Sequence, residues 1–308
     1  MPANTRLLHT HRQTLIVLER VRVRVEDQRV VYDEADGAIE RTFNVPHANL
    51  AFLLLGQGTS VTQAAMRLLA EEGVVVGFTG SGGTPLLMAS TDTYRPTERL
   101  QAWLRIYLDP DTALDAARSM QRQRLQTLEE EIEAVARQVD FEAIESLVQQ
   151  FRADMDRARS VEELRGYEGR FCTQLYTRIT RQFRIRDFKR YPGNADEQVS
   201  DASVRQVNRM LDHGNYLAYG LAAVALWAYG LPAGLSVMHG ASRAGGLVFD
   251  VADMYKDAYI LPLACYSTRQ GESEQAFRER AIAVLDRRSV LKRAFTQLDE
   301  VIQAHGAA

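Results

Sequence analysis

The apolar pattern of this chain turns lastingly from strand-like to helical near residues 90–97. Before that point it reads mostly in twos. Val21, Val23 and Val25 alternate with Arg22, Arg24 and Glu26, as on a strand with one buried face. The stretch VVYDEADGAIERTFNVP continues as a hairpin with Asp36-Gly37 supplying the turn. NLAFLLLG and VVVGF are continuous apolar runs of the kind that buried strands carry. Between them GTSVTQAAMRLLAEEG takes a helical period, with Ser60 and Gln63 as a capping box and Gly73 as the stop. TGSGGTPLLM then reads as a loop leading into a last strand. Neither a lysine nor a helix start follows its glycines, so residues 80–85 suit a tight turn better than a phosphate cradle.

Pro96 punctuates the chain, and Thr97 can cap the helix after it. From TERLQAWLRIYL onward, apolar residues recur at spacings of three and four, and no convincing strand appears. The expected fold class is therefore α+β. An N-terminal β-rich, sandwich-like domain with one short helix (residues 1–92) precedes a larger all-α domain (residues 93–308). A chain of 308 residues is long enough for two cores. From Asn215 to Met238 there is no charged residue, a length that also suits a membrane span. Tyr216, Tyr219, Tyr229 and three glycines lie within it, and Pro232 interrupts it, which favours a buried helix and no membrane partner.

The net charge of −3 gives no overall attraction to nucleic acid or acidic lipid, so an anionic partner must be met by a local basic surface. The two cysteines, Cys172 and Cys265, lie far apart without metal-ligand spacing. That argues against a disulfide scaffold or a zinc module and fits a reducing cytosol. The N-terminal MPANTRLLHTHRQ lacks the apolar stretch of a secretory signal, so a cytoplasmic location is expected.

The residues that suggest chemistry sit in the helical part. Asp250, Asp253 and Asp257 lie at i, i+3 and i+7, so one continuous helix would present them along one face. Lys256 follows Asp253 by three residues. His239 precedes Asp250 by eleven, across a glycine-rich loop, and Glu168 lies on an earlier helix. One imidazole nitrogen and several carboxylate oxygens form a hard, mixed donor set suited to Mg²⁺ or Mn²⁺. Spacing alone also suits a solvated helix face and a structural histidine.

The motifs LRGYEG, VMHG and LVFDVADMYKD, in that order, resemble the three active-site motifs of the CRISPR-associated integrase family, the DNA-integrating proteins of the adaptation stage. The likeness extends over nearly the whole chain. LDHGNYLAYGLA and TSVTQAAMRLLA look closest to the I-F subtype. The resemblance implies that Glu168, His239 and Asp253 are the ligands of Mg²⁺ or Mn²⁺. It implies that Asp250 supports the site and that Lys256 lies near the scissile phosphate. Asn208 and Tyr219 match positions on the helix lining the site. The loop between His239 and Asp250 carries no transferable role.

DNA contact is expected from the arginine run that begins two residues after Glu168: Arg170, Arg178, Arg181 and Arg184, with Arg186, Lys189 and Arg190 beyond. The interleaved Phe171, Tyr176, Phe183 and Tyr191 read as core. Arg118, Arg122 and Arg124 form a second basic cluster. The expected function is metal-dependent insertion of foreign DNA fragments into a CRISPR repeat array, by 3′-hydroxyl attack on a phosphodiester. The partners implied by the resemblance are double-stranded DNA, a second copy of the chain through the β-rich domain, and a small companion protein, fused in the I-F subtype to the helicase-nuclease. The alternatives are a generic metal-dependent nuclease or phosphodiesterase and a non-catalytic nucleic-acid-binding scaffold.

Overall fold

A computed structural model describes residues 12–36, 39–79, 85–88, 97–191, 199–240 and 244–307. The chain forms two compact units, Met1–Arg95 and Pro96–Ala308.

The first unit holds β1 (Gln13–Leu18), β2 (Arg22–Glu26), β3 (Arg29–Asp36), β4 (Ile39–Asn44), β5 (Leu50–Leu55), β6 (Ser60–Val61), α1 (Gln63–Glu71), β7 (Val75–Thr79) and β8 (Pro85–Met88). They build two four-stranded sheets, ordered β1-β5-β7-β8 and β4-β3-β2-β6. In the first sheet β5 lies between parallel neighbours β1 and β7, and all six of its residues are buried. That position accounts for its unbroken apolar run, since neither face meets water. The alternating strand β2 buries Val23, while Arg24 pairs across the second sheet with Asp33 at 2.6 Å. One core joins both sheets to α1, through Val23, Val30, Leu50, Leu53, Ala65, Leu69 and Val76 among others.

Two local expectations change. Ser60 is no helix cap, because Ser60 and Val61 pair with β2; Thr62 caps instead, its Oγ1 accepting the Ala65 N–H at 3.2 Å. The β3–β4 hairpin pairs Asp36 with Ile39, so Asp36 still belongs to the ladder. Gly37, Ala38 and the glycine-rich residues 80–84 lie outside the described residues.

The second unit is helical among its described residues: α2 (Glu98–Leu108), α3 (Pro110–Val135), α4 (Glu142–Arg157), α5 (Val161–Gln182), α6 (Ala202–Tyr229), α7 (Gly246–Asp253), α8 (Lys256–Gln270), α9 (Glu274–Arg287) and α10 (Val290–His305). Short polar side chains start several of them. Asp109, Ser160, Asp201 and Ser273 each accept a backbone N–H three residues on. Gly230 and Gly271 end α6 and α8 in the left-handed conformation. Thr97 stands at the start of α2 but makes no capping bond, and its hydroxyl meets Gln101 instead.

The charge-free stretch is mostly the C-terminal half of α6, which packs on α7, α8, α9 and α10. Among the described residues no helix is long and apolar enough to cross a membrane. Gly214 permits the close approach of α8: a Cβ there would lie 2.4 Å from Ile260 Cγ2. The three aspartates do not share one helix. α7 ends at Asp253, Met254 and Tyr255 make a turn, and α8 begins at Lys256, so Asp257 leaves the expected face. Tyr255 has left helical geometry (φ −140°), and its hydroxyl is held by the Ala218 carbonyl of α6 at 2.8 Å.

Candidate active site

The loop from α6 to α7 carries His239 and is fastened at several points. Trp103 Nε1 donates to the Leu235 carbonyl at 2.8 Å. Gly246 lets α7 begin against Ser236, since a Cβ there would lie 2.7 Å from that residue's own Cβ. Asp250, 1% exposed, then gathers the loop. Its Oδ2 accepts from Ser236 Oγ (2.7 Å), Val237 N (3.0 Å) and Met238 N (3.1 Å). Its Oδ1 accepts from His239 N (3.2 Å) and lies 2.6 Å from His239 Nδ1. A carboxylate offers about four lone-pair positions, so Asp250 has its capacity filled inside the protein and acts on the imidazole rather than on a ligand.

With Nδ1 held by Asp250, His239 turns Nε2 toward Asp253 Oδ2, 3.8 Å away. Burial alone would push the imidazole pKa down. The Asp250 hydrogen bond and the charges of Asp253, Asp250 and Glu168 more than offset that and raise it above its ordinary value. Asp253 is 2% exposed, and Lys256 Nζ rests on its Oδ1. The same ammonium lies 6.0 Å from the centre of the Tyr219 ring, and Tyr219 meets Phe249 edge-on at 4.7 Å. Tyr219 thus stands beside Lys256.

Glu168 enters from α5. Its Oε1 accepts from Arg124 Nη1 at 2.8 Å and from Cys172 Sγ at 2.9 Å. Burial would raise its pKa, but Arg124, Cys172 and Lys256 lower it, so the carboxylate is ionised at neutral pH. Its charge reaches both His239 and Lys256. The side chains of Glu168, His239 and Lys256 remain 13%, 16% and 14% exposed, which leaves these three groups within reach of solvent.

The donor set suits a hard divalent cation: an imidazole nitrogen and ionised carboxylates, with the imidazole oriented from behind by a carboxylate. Glu168 Oε2 takes no hydrogen bond among the described residues. In this arrangement Lys256 sits on the Asp253 carboxylate and Arg124 on that of Glu168. Among the described residues no three His, Cys, Asp or Glu side chains are drawn together closely enough to enclose an ion.

Several expected residues are placed otherwise. Asn208 is fully buried and offers nothing to DNA. Its amide receives Arg190 Nη1 (3.0 Å) and Tyr191 N (2.7 Å) and donates to the carbonyls of Lys189 (2.9 Å) and Val204 (3.0 Å). It orders the segment after α5 instead. Arg178 leans on α4 through Ala143 O and Ser146 Oγ. Arg170 stacks on Tyr167. Arg181, Arg184 and Arg186 are exposed and line one surface hollow with Asp187. Phe171 and Phe183 are core, and Tyr176 gives its hydroxyl to Asp257 at 3.1 Å.

The second basic cluster does not form one free basic surface. Arg118 binds the Met155 and Ala158 carbonyls at the end of α4, and Arg122 pairs with Asp156. Arg124, two residues and about 200° around α3 from Arg122, points inward and is 2% exposed. A sequence signal for this exists. Ala117, Gln121, Arg124 and Leu128 succeed one another at spacings of four, three and four, so the arginine lies in the buried stripe of α3.

The family profile described as CRISPR associated protein Cas1 matches residues 15–300. This chain belongs to the Cas1 family of endonucleases. It is 40% identical to the CRISPR-associated endonuclease Cas1 of Pseudomonas aeruginosa (strain UCBPP-PA14), over 96% of this chain and 95% of that one. Identity to the Cas1 of Pectobacterium atrosepticum is 36%, over 96% and 94%. Among solved Cas1 structures, a crystal structure of a TtCas1–DNA complex aligns with a TM-score of 0.59 at 25% identity, covering 94% of this chain and 96% of that one. A Cas6-RT-Cas1–Cas2 complex aligns with a TM-score of 0.67 at 15% identity over 96% of this chain and 35% of that one, a likeness of fold alone.

Proposed function

We propose that this Cas1 protein is a divalent-metal-dependent DNA integrase and endonuclease that inserts DNA fragments into a CRISPR repeat array. The observation that supports the reading is the approach of two of the motifs: the imidazole of His239, held at Nδ1 by Asp250, faces Asp253 at 3.8 Å, with Glu168 of the third motif near enough for its charge to help raise the imidazole pKa. Glu168, His239 and Asp253 would hold Mg²⁺ or Mn²⁺. Bound there, the ion supplies Lewis-acid stabilisation of charge developing on a phosphodiester oxygen.

The chain's own residues do the rest. Asp250 keeps the imidazole proton on Nδ1 and the loop in place. Lys256, beside Tyr219 at the reachable edge of the site, offers an ammonium to the phosphate. Arg181, Arg184 and Arg186 offer a surface for the DNA backbone. The 3′-hydroxyl of a fragment attacks a repeat phosphodiester; one P–O bond forms, one breaks, and a new 3′-hydroxyl leaves. Water in place of the hydroxyl gives cleavage. The work of residues 93–308 is catalytic, and residues 1–92 serve to pair two copies; a monomer mass by light scattering at micromolar concentration would overturn the pairing. The TtCas1–DNA neighbour supports DNA as a partner; the small companion protein, fused in the I-F subtype to the helicase-nuclease, follows from the motif resemblance. The cytoplasm, where the repeat array lies, is the site of action.

The test is strand transfer of a labelled 3′-hydroxyl fragment into supercoiled repeat DNA, with the companion protein present, by wild type and Asp253→Asn. Loss of a transition-state interaction worth about 3 kcal/mol lowers the rate about a hundredfold, and that or more is expected. DNA binding should persist, because removing one carboxylate does not weaken attraction to phosphate. Joining at the wild-type rate would remove Asp253 from the chemistry. A wild type that only cuts would make the protein a generic nuclease.

A further inference from the structure

The proposed strand transfer assigns Arg124 no bond-making step, yet its guanidinium is bonded on every nitrogen beside the site. Its Nε donates to Asp257 Oδ2 at 2.8 Å, and Nη2 reaches the same oxygen. Nη1 donates to Glu168 Oε1 at 2.8 Å and Gln121 Oε1 at 3.1 Å, and Nη2 to Cys172 Sγ at 2.8 Å. The guanidinium faces the Phe171 ring, 5.6 Å from its centre. The side chain is 1% exposed. A buried ion pair is a poor source of stability, because desolvation consumes most of the attraction and apolar residues can fill the same space. The bond pattern suggests what it does instead.

Arg124 and Cys172 both bind Oε1 of Glu168, and Oε2 receives nothing among the described residues. Asp257, steadied by Tyr176, carries the charge opposite Arg124, so Glu168 keeps a negative charge not fully spent on the arginine. A rigid planar fork spanning two carboxylates fixes direction as well as distance.

We propose that Arg124 is a positioning residue: braced by Asp257, it holds one oxygen of Glu168 so that the other is presented to the divalent cation shared with His239 and Asp253. This rests on the metal site proposed above. Lysine at 124 keeps the charge but cannot serve both carboxylates, so Arg124→Lys tests the fork rather than the charge. Arg124→Gln combined with Asp257→Asn replaces that buried pair by neutral hydrogen-bonding groups, so Asp257 is not left as an unpaired buried charge; Glu168 loses its arginine but keeps its partly exposed position.

The measurement is Mn²⁺ affinity of the whole protein without DNA, from the electron paramagnetic resonance signal of free Mn²⁺, beside thermal melts in chelator. Both variants are expected to melt cooperatively and to bind Mn²⁺ about 10- to 100-fold more weakly, the usual loss when a group behind a metal ligand is removed. Nicking should need correspondingly more Mn²⁺ for half-maximal rate and recover in part at saturation. A folded variant of either kind with wild-type Mn²⁺ affinity overturns the proposal. So does failure of both to fold, which is what a purely structural arginine predicts. If the wild type shows no Mn²⁺ site that Asp253→Asn abolishes, the metal reading itself falls; if it does and Arg124→Lys binds equally well, only the role of Arg124 falls.

Discussion

Asp250 and Asp253 are carboxylates of one short helix, three residues apart, and their surroundings divide the work between them. Asp250 is met from every side by donors of the 236–239 loop, whereas Asp253 meets an ammonium group and the reachable side of an imidazole. The two isosteric amide substitutions should therefore differ in kind. Asp250→Asn puts an NH₂ where two backbone N–H groups or the imidazole donate. Leaving buried donors unpaired costs about 2–3 kcal/mol, a fall of roughly 3–5 °C in Tm for a chain of this size. Asp253→Asn leaves Lys256 able to extend toward solvent and should lower Tm far less while abolishing joining. Thermal melts of both variants in chelator check this. An Asp250→Asn melt matching the wild type would remove its role as the anchor of the His239 loop.

At the level of elements, the site depends on how closely helices approach. Gly214 of α6 faces Ile260 and Phe277, and an added Cβ would lie 2.4 Å and 3.1 Å from their side chains. Alanine has the better helix propensity, by about 1 kcal/mol, but overpacking a full interior costs about 1–3 kcal/mol, and β-branched Ile260 has little room to yield. Gly214→Ala should therefore destabilise. Gly169 sits next to Glu168 on α5 with nothing within 4 Å of a would-be Cβ, so Gly169→Ala should instead stabilise by up to about 1 kcal/mol. Denaturant midpoints of the two variants should move in opposite directions; movement in the same direction would mean that a single effect, propensity or packing, dominates at both positions. Among the described residues no neighbour requires glycine at 166 or 169.

For the molecule as a whole, a net charge of −3 must still meet a polyanion. Folding withdraws much of the positive charge from that task. Arg118, Arg122, Arg124 and Arg190 are tied to carboxylates or carbonyls within the helical unit, and Arg178 bridges to α4. Arg181, Arg184 and Arg186 are left exposed around one hollow. Replacing these three by glutamine should weaken DNA binding and reduce the slope of log K against log salt by about 0.9 for each phosphate no longer neutralised. Binding isotherms at several salt concentrations measure this. An unchanged slope would move DNA to another face.

The change of period near residues 90–97, the buried run of β5, the helical character of the described residues after Pro96 and the motifs holding Glu168, His239 and Asp253 were all legible in the sequence. They depend on residue order over a few turns or strands, and local periodicity records that order directly. Other features were decided only when distant segments met. Arg122 and Arg124 are the same residue type two positions apart, yet one faces water and the other closes on Glu168, 44 residues away, and Asp257, 133 away. Asn208 looked like a lining residue and became a clamp on residues 189–191. Asp257 left the shared face because Tyr255 binds the Ala218 carbonyl where α7 gives way to α8. A residue's type states what bonds it can make; which of them it makes depends on what the packing of the other helices places within about 3 Å of it.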